Sequence, residues 1–189
     1  DKNLLWLLDE IIDSSGEKYG IPIGNYLSQY SGNLFLAIFD RWVKENKRIK
    51  YYIRYMDDIV ILGNSKEELN LLFVEIDNFL RNKLDLTIKD NWQIFESRLR
   101  GIDFVGYRHF GNYVLLRKST SKQLIVKMRK INKKISKGHM INYSDYCSIN
   151  SYKGWLKWCN GYNLYKKWIE PLESECDKYY KEVIKNGGV

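Results

Sequence analysis

Residues 52–62 read YIRYMDDIVIL, and two adjacent aspartates, Asp57 and Asp58, interrupt a run of tyrosines, Met56 and branched aliphatics. An ionised carboxylate loses hydration on burial, and two side by side repel, so an uninterrupted buried strand would reject the pair. The stretch therefore reads as strand, turn and strand over about residues 50–63, with Asp57 at the tip of a two-residue turn and Asp58 opening the return strand. The β-branched and aromatic flanks favour the strands. A purely structural turn accounts for one aspartate. A divalent cation accounts for both, because hard carboxylate oxygens suit Mg²⁺ and the ion cancels their repulsion.

Outward from the hairpin, residues 3–13 have helical spacing through Leu4, Leu5, Leu8, Ile11 and Ile12, and SSGEKYG (14–20) ends that helix. After the loop GIPIGN (20–25), Leu27, Tyr30, Leu34, Ile38 and Trp42 predict a long amphipathic helix ending near KENKR. Past the hairpin, Leu69, Leu72, Phe73, Ile76 and Leu80 predict a helix over 66–83, and LDLTIKD (84–90), FVGYR (104–108) and YVLLRK (113–118) read as short strands. The class is α+β. From Ser119 onward only helical patterns remain, which places a domain boundary at residue 118.

Among the 189 residues, 31 basic against 23 acidic side chains give a formal charge of +8, which favours a polyanionic partner. An anionic membrane surface satisfies the same sum. No apolar run reaches spanning length, and DKNLLWLLDEII at the start carries acids where a signal peptide needs bases, so a cytoplasmic protein is the default expectation. Cys147, Cys159 and Cys176 form no CxxC pair and the histidines are His109 and His139 alone, which argues against zinc and for a reducing compartment. Nine basic and no acidic residues lie between Arg117 and Lys137. There, Leu124, Met128, Ile131 and Ile135 form an apolar stripe, and Lys127, Lys130 and Lys134 lie on another face, either solvated or contacting phosphates. Tyr152, Trp155, Trp158, Tyr162 and Tyr165 recur at helical spacing and read mainly as core, with a base-stacking platform as the alternative.

Taken in order, GIPIGNYLSQ (20–29), YIRYMDD (52–58), LTIKDNWQIF (86–95) and GIDFVGY (101–107) resemble the later sequence blocks of reverse transcriptases. The resemblance implies the C-terminal part of a palm domain over 1–118 and a helical thumb over 119–189. It implies Asp57 as ligand of two catalytic Mg²⁺ ions with Asp58 assisting, and Lys89 as the proton donor to pyrophosphate. Tyr55 and Met56 would lie by the primer terminus and incoming nucleotide. Ile23, Gly24, Ser28 and Gln29 would line the nucleotide and template pocket, and Phe104, Val105, Gly106 and Tyr107 would form the primer grip. The implied partners are an RNA template, a DNA or RNA primer and deoxynucleoside triphosphates, with no membrane. Where most members carry Gln and Pro in the pocket block, this chain has Ile23 and Gln29, a pattern similar to the enzymes of diversity-generating retroelements. Those copy a template RNA with frequent errors at adenines and work with a basic accessory protein.

The family's first catalytic aspartate block precedes the GIPIG loop, and Asp9 and Asp13 lack its pattern. The expectation is therefore a C-terminal fragment that is inactive alone and exposes apolar sheet surface suited to self-association. Group II intron, retron and abortive-infection enzymes remain alternatives within the family. Outside it stand a nonenzymatic nucleic-acid-binding module, which gains nothing from Asp57 and Asp58, and a basic peripheral membrane protein.

Overall fold

The structure, a computed structural model, describes residues 1–14 and 26–184, without the side chains of 183 and 184. It is α+β, with helices and two small antiparallel sheets in two compact units, Asp1–Ile94 and Phe95–Val189. The first holds α1 (Lys2–Asp13), α2 (Tyr26–Arg41) running into a π turn (Trp42–Asn46), the hairpin β1 (Tyr51–Tyr55) and β2 (Asp58–Leu62), and α3 (Lys66–Leu84). The second holds α4 (Ser97–Arg100), the meander β3 (Ile102–Phe104), β4 (Tyr107–His109) and β5 (Val114–Leu116), then α5 (Lys118–Ile135), α6 (Tyr143–Leu156), α7 (Tyr162–Trp168) and α8 (Glu173–Tyr179). The sheet of the second unit is thus compact with the helices that follow it, although secondary-structure type changes only at residue 118.

The core of the first unit is Phe39 and Val43 against Leu72, Ile76, Leu80 and Leu84 of α3, with Trp42 stacked on Phe79 at 4.4 Å. Each such side chain removed from water contributes about 1.5–3 kcal/mol. Ser65 caps α3 by accepting from the Glu68 N–H, and Asp85 ends it in a left-handed conformation at φ 52°. The stripe expected on α3 is the buried one. On α2 the buried face is a different one from that read in the sequence. Leu36, Phe39 and Val43 turn inward, whereas Tyr30, Leu34 and Ile38 are exposed. Apolar side chains occur on both faces of this helix, so periodicity cannot choose between them, and the aromatic packing of Phe39 with Trp42, Tyr52 and Phe79 does. Helix α1 forms as read, but Leu4 and Leu5 stay exposed.

Residues 84–90, expected as a strand, carry none. Leu86 and Ile88 do point inward on the alternate positions and pack on the first core, but no ladder partner is bonded to them. The period was right and the pairing absent, because a strand exists only with a neighbour to accept its N–H groups.

In the second unit, Leu124, Met128 and Ile131 of α5 are buried against Ile149 and Leu156 of α6, and Ile169, Leu172 and Cys176 complete the core. The stripe read from the sequence, including Ile135 at its margin, is this buried face. The apparent aromatic stripe further on is not uniform. Tyr152 and Tyr165 pack on the core, while Trp158 and Tyr162 are exposed.

Candidate active site

Strands β1 and β2 pair Tyr51 with Leu62, Tyr52 with Ile61, Ile53 with Val60, Arg54 with Ile59 and Tyr55 with Asp58, leaving Met56 and Asp57 as the two turn residues. Met56 has φ 54°, the positive value that lets a two-residue turn follow the strands' right-handed twist. A non-glycine side chain there is strained by about 1–3 kcal/mol, so the surroundings must hold it.

Arg54 does so. Its Nη1 donates to the Met56 carbonyl at 2.9 Å and to Asn33 Oδ1 at 3.0 Å, while Nε and Nη2 grip Asp40 Oδ1 and Oδ2 at 2.8 and 2.6 Å. Tyr52 Oη also donates to Asp40 Oδ1, and Asn33 Nδ2 reaches Met56 Sδ at 3.7 Å. The guanidinium thus ties the turn to two positions of α2. Arg54 holds the Asp40 carboxyl below the usual carboxylate range against the opposing effect of burial, and Tyr52 adds to the lowering. Burial, then Asp40, pushes the Tyr52 phenol well above its ordinary value.

On the other side of the turn, Asp57 and Asp58 are both exposed. Hydration, rather than a buried cation, is what first makes the doublet tolerable. Lys89 Nζ lies 3.0 Å from Asp57 Oδ2, and this hydrogen bond, with one from the Asp57 backbone, lowers the Asp57 carboxyl below its usual range. Asp58 shares a hairpin face with its cross-strand partner Tyr55, alongside Ile53 and Tyr51, and all three of these are exposed. The structure therefore brings Asp57, Asp58, Tyr55, Met56 and Lys89 to one turn, with Lys89 reaching it from an unpaired segment rather than from the expected strand. Ser28 and Gln29 fall in the first turn of α2, as expected, and Ile23 and Gly24 lie outside the described residues.

Mg²⁺ is typically held by one or two carboxylates completed by waters and substrate phosphates. Asp57 and Asp58 supply that donor type at a solvent-facing tip. Among the described residues no group of three or more His, Cys, Asp or Glu side chains is placed to hold a metal ion.

In the second unit, Val105 and Gly106 turn the β3–β4 hairpin with φ 47° and 83°, both positive. Tyr107 stacks on Trp155 with centroids 5.6 Å apart and donates from its hydroxyl to the Trp155 carbonyl at 3.0 Å. A Cβ on Gly106 would stand 2.4 Å from the Trp155 ring, so the tip Phe104–Tyr107 is seated against α6 with no room for a side chain. The three lysines expected to face phosphates have different fates. Lys134 and Lys127 pair at 2.8 and 3.4 Å with Asp145, which is 7% exposed and belongs to the capping box of α6. Lys130 is exposed and, with Lys122, Lys127, Gln123, Ser148 and Tyr152, lines a groove of about 460 Å³ between α5 and α6. Two of the three positive charges are therefore partly neutralised by a carboxylate that the sequence gives no reason to place there.

Arg54, Asp40 and Asn33 were missed. The available signal was parity: Arg54 shares the inward side of β1 with Tyr52, and an inward arginine needs an anion. Its partner on α2 has no sequence signature.

One carboxylate on the two-residue turn and one opening the return strand, with a lysine 3.0 Å from the first, make an exposed tip of hard oxygen donors. The family model for reverse transcriptase (RNA-dependent DNA polymerase) matches residues 8–109, just over half of the chain and including the whole of this turn, and the chain belongs to that family. Members of the family work on a nucleic acid template and primer with nucleotides and divalent metal ions. No curated protein matches the chain. Among the described residues no helix is long and apolar enough to cross a membrane.

Proposed function

We propose that Asp57 and Asp58 are the metal ligands of an RNA-directed DNA polymerase, with residues 1–118 belonging to its palm and 119–189 to its thumb. The observation that carries this reading is the exposed carboxylate doublet on the Met56–Asp57 turn, inside the stretch matched to the family. Two Mg²⁺ ions bound there supply Lewis-acid activation of the primer hydroxyl and neutralise charge on the leaving pyrophosphate. The chain's own groups orient that chemistry. Lys89 gives a proton to the leaving group in this reading, which its position 3.0 Å from Asp57 supports, and the Arg54 clamp holds the turn's backbone. Tyr55 presents an exposed ring beside the carboxylates for the nucleotide or primer end. Phe104–Tyr107 supports the primer strand. Beside Gly24 and Ser28, which fit the family's pocket block in general, Ile23 and Gln29 support assignment to a diversity-generating retroelement, in which an apolar Ile23 removes a hydrogen-bonding group from the pocket. In that setting the template is an RNA copied with errors at adenines and a basic accessory protein is a partner.

The test is extension on an RNA template by the gene product with Mg²⁺ and deoxynucleoside triphosphates. Asp57→Asn abolishes synthesis and keeps RNA binding, and the wild-type cDNA shows errors concentrated at adenines. Synthesis undiminished by Asp57→Asn removes the enzyme reading, and uniform errors remove the retroelement subclass. A second reading, a binding module without catalysis, draws on the charge of the second unit: 19 basic and 8 acidic residues over 95–189, net +11, against 12 and 15 over 1–94, net −3.

A further inference from the structure

Trp158 is 77% exposed and Tyr162 is 68% exposed, four residues apart at the junction of α6 and α7. Fully exposed tryptophan contributes nothing to a core, and this one does not sit on a loose loop. The turn 157–160 is pinned to β5 by the Asn160 N–H donating to the Val114 carbonyl at 2.7 Å, and by Asn160 Oδ1 accepting from the Val114 N–H at 2.9 Å. Gly161, next in line, is buried so closely on Leu156 that a Cβ would stand 2.6 Å from its Cδ2. The rings are therefore presented by a rigid support, which lowers the entropic cost of using them.

The sequence that carries them is basic. Residues 146–169 contain Lys153, Lys157, Lys166 and Lys167 and no acid. Lys153 is engaged by Glu173, and Lys166 lies 3.8 Å from Glu170 in a solvent-exposed i,i+4 pair that a phosphate can displace, while Lys157 and Lys167 are exposed. Lys166 Nζ lies 6.0 Å from the centroid of the Tyr162 ring, near enough for a cation–π contact. Protein interfaces are depleted in lysine at their centres, so lysines interleaved with bare aromatic rings fit a different occupant. Bases with exposed π faces joined by phosphates match both components.

We propose that Trp158 and Tyr162 form a stacking platform for unpaired bases of single-stranded nucleic acid, with Lys157 and Lys166 contacting the flanking phosphates. This extends the polymerase reading only by specifying the strand state that the second unit grips. The platform reads stacking rather than sequence, and a duplex, whose bases are already stacked, gains nothing from it.

The test is fluorescence anisotropy of the 189-residue chain with a labelled 12-nucleotide oligouridylate and with a duplex of equal length, without metal or nucleotide. Trp158→Ala and Tyr162→Ala, made separately so that one folding failure does not decide the matter, each weaken single-strand binding about five- to 150-fold and leave duplex binding within twofold. Trp158→Phe retains single-strand affinity within about threefold. No loss in either alanine variant overturns the platform, as does equal loss on duplex and single strand. It is equally overturned if Trp158→Ala instead removes self-association in sedimentation or binding to anionic phosphatidylserine vesicles. Because the assay holds no substrate, its failure leaves the catalytic assignment to the primer-extension test.

Discussion

Arg54→Met keeps the apolar stem of the side chain and deletes the four hydrogen bonds to Asp40, Asn33 and Met56. Breaking a buried ion pair by removing one partner costs about 3–5 kcal/mol, because the other charge is left uncompensated. Here the Arg54 side chain is 9% exposed but Asp40 is 33% exposed and keeps the Tyr52 hydroxyl, so solvent and that donor reduce the loss. About 2–3 kcal/mol remains. The loss is local to the hairpin, and the assay is amide hydrogen exchange followed peptide by peptide. Protection over residues 51–62 falls about 30- to 150-fold, while peptides of α5 in the other unit keep theirs and serve as the internal control. Asp40→Leu in the Arg54→Met background regains part of the protection, since deleting both partners leaves no orphaned charge. The pH dependence has a defined sign. Arg54 lowers the folded-state pKa of Asp40, so the pair's contribution is complete above the ordinary carboxylate value near 4 and disappears as pH falls through the lowered one. The gap between wild type and Arg54→Met therefore closes in strong acid. A fall in protection of less than threefold at neutral pH, or an equal fall in α5, would refute the assignment of Arg54 as the clamp on the strained Met56 turn.

Asp145→Ala removes the capping box of α6 and the shared anion of Lys127 and Lys134, and lowers the urea midpoint of the second unit by the equivalent of about 2–4 kcal/mol. Burial raises the Asp145 carboxyl, but Lys134, the Asn142 N–H and Lys127 outweigh it and hold it lowered, so this loss also fades as pH falls below about 4. Gly106→Ala costs at least about 2 kcal/mol in thermal melting, part from φ 83° and part from the Trp155 ring. In a Trp155→Leu background only the backbone part, about 1 kcal/mol, remains.

The hairpin was legible because two signals coincide within eleven residues: β-branched and aromatic flanks, and a polar pair where the chain can turn. Helix α3 was legible because Leu69, Leu72, Phe73, Ile76 and Leu80 keep helical spacing along the face that is buried, although Leu71 and Val74 are apolar and exposed. Helix α2 was equally legible as a helix but its inward face was not, because Tyr30, Leu34 and Ile38 offer as good a stripe as Leu36, Phe39 and Val43, and of the residues read only Trp42 at its end packs on the core. Lys89 shows the opposite case: it was picked by motif position, and its contact with Asp57 survives although the strand expected to carry it is absent. Lys127 and Lys134 show the limit of charge counting, since a run of like charges says nothing about a single aspartate eleven or eighteen residues away that folds back onto it.

The overall charge of +8 conceals a division of labour between +11 in the second unit and −3 in the first. At physiological ionic strength fields fade within about 8 Å, so a polyanion at the surface senses the charges nearest to it rather than the chain's sum. Residues 95–189 therefore attract a polyanion, whereas the turn bearing Asp57 and Asp58 repels phosphate unless a cation lies between them. Raising salt should weaken the attraction to residues 95–189 and the repulsion at the turn alike.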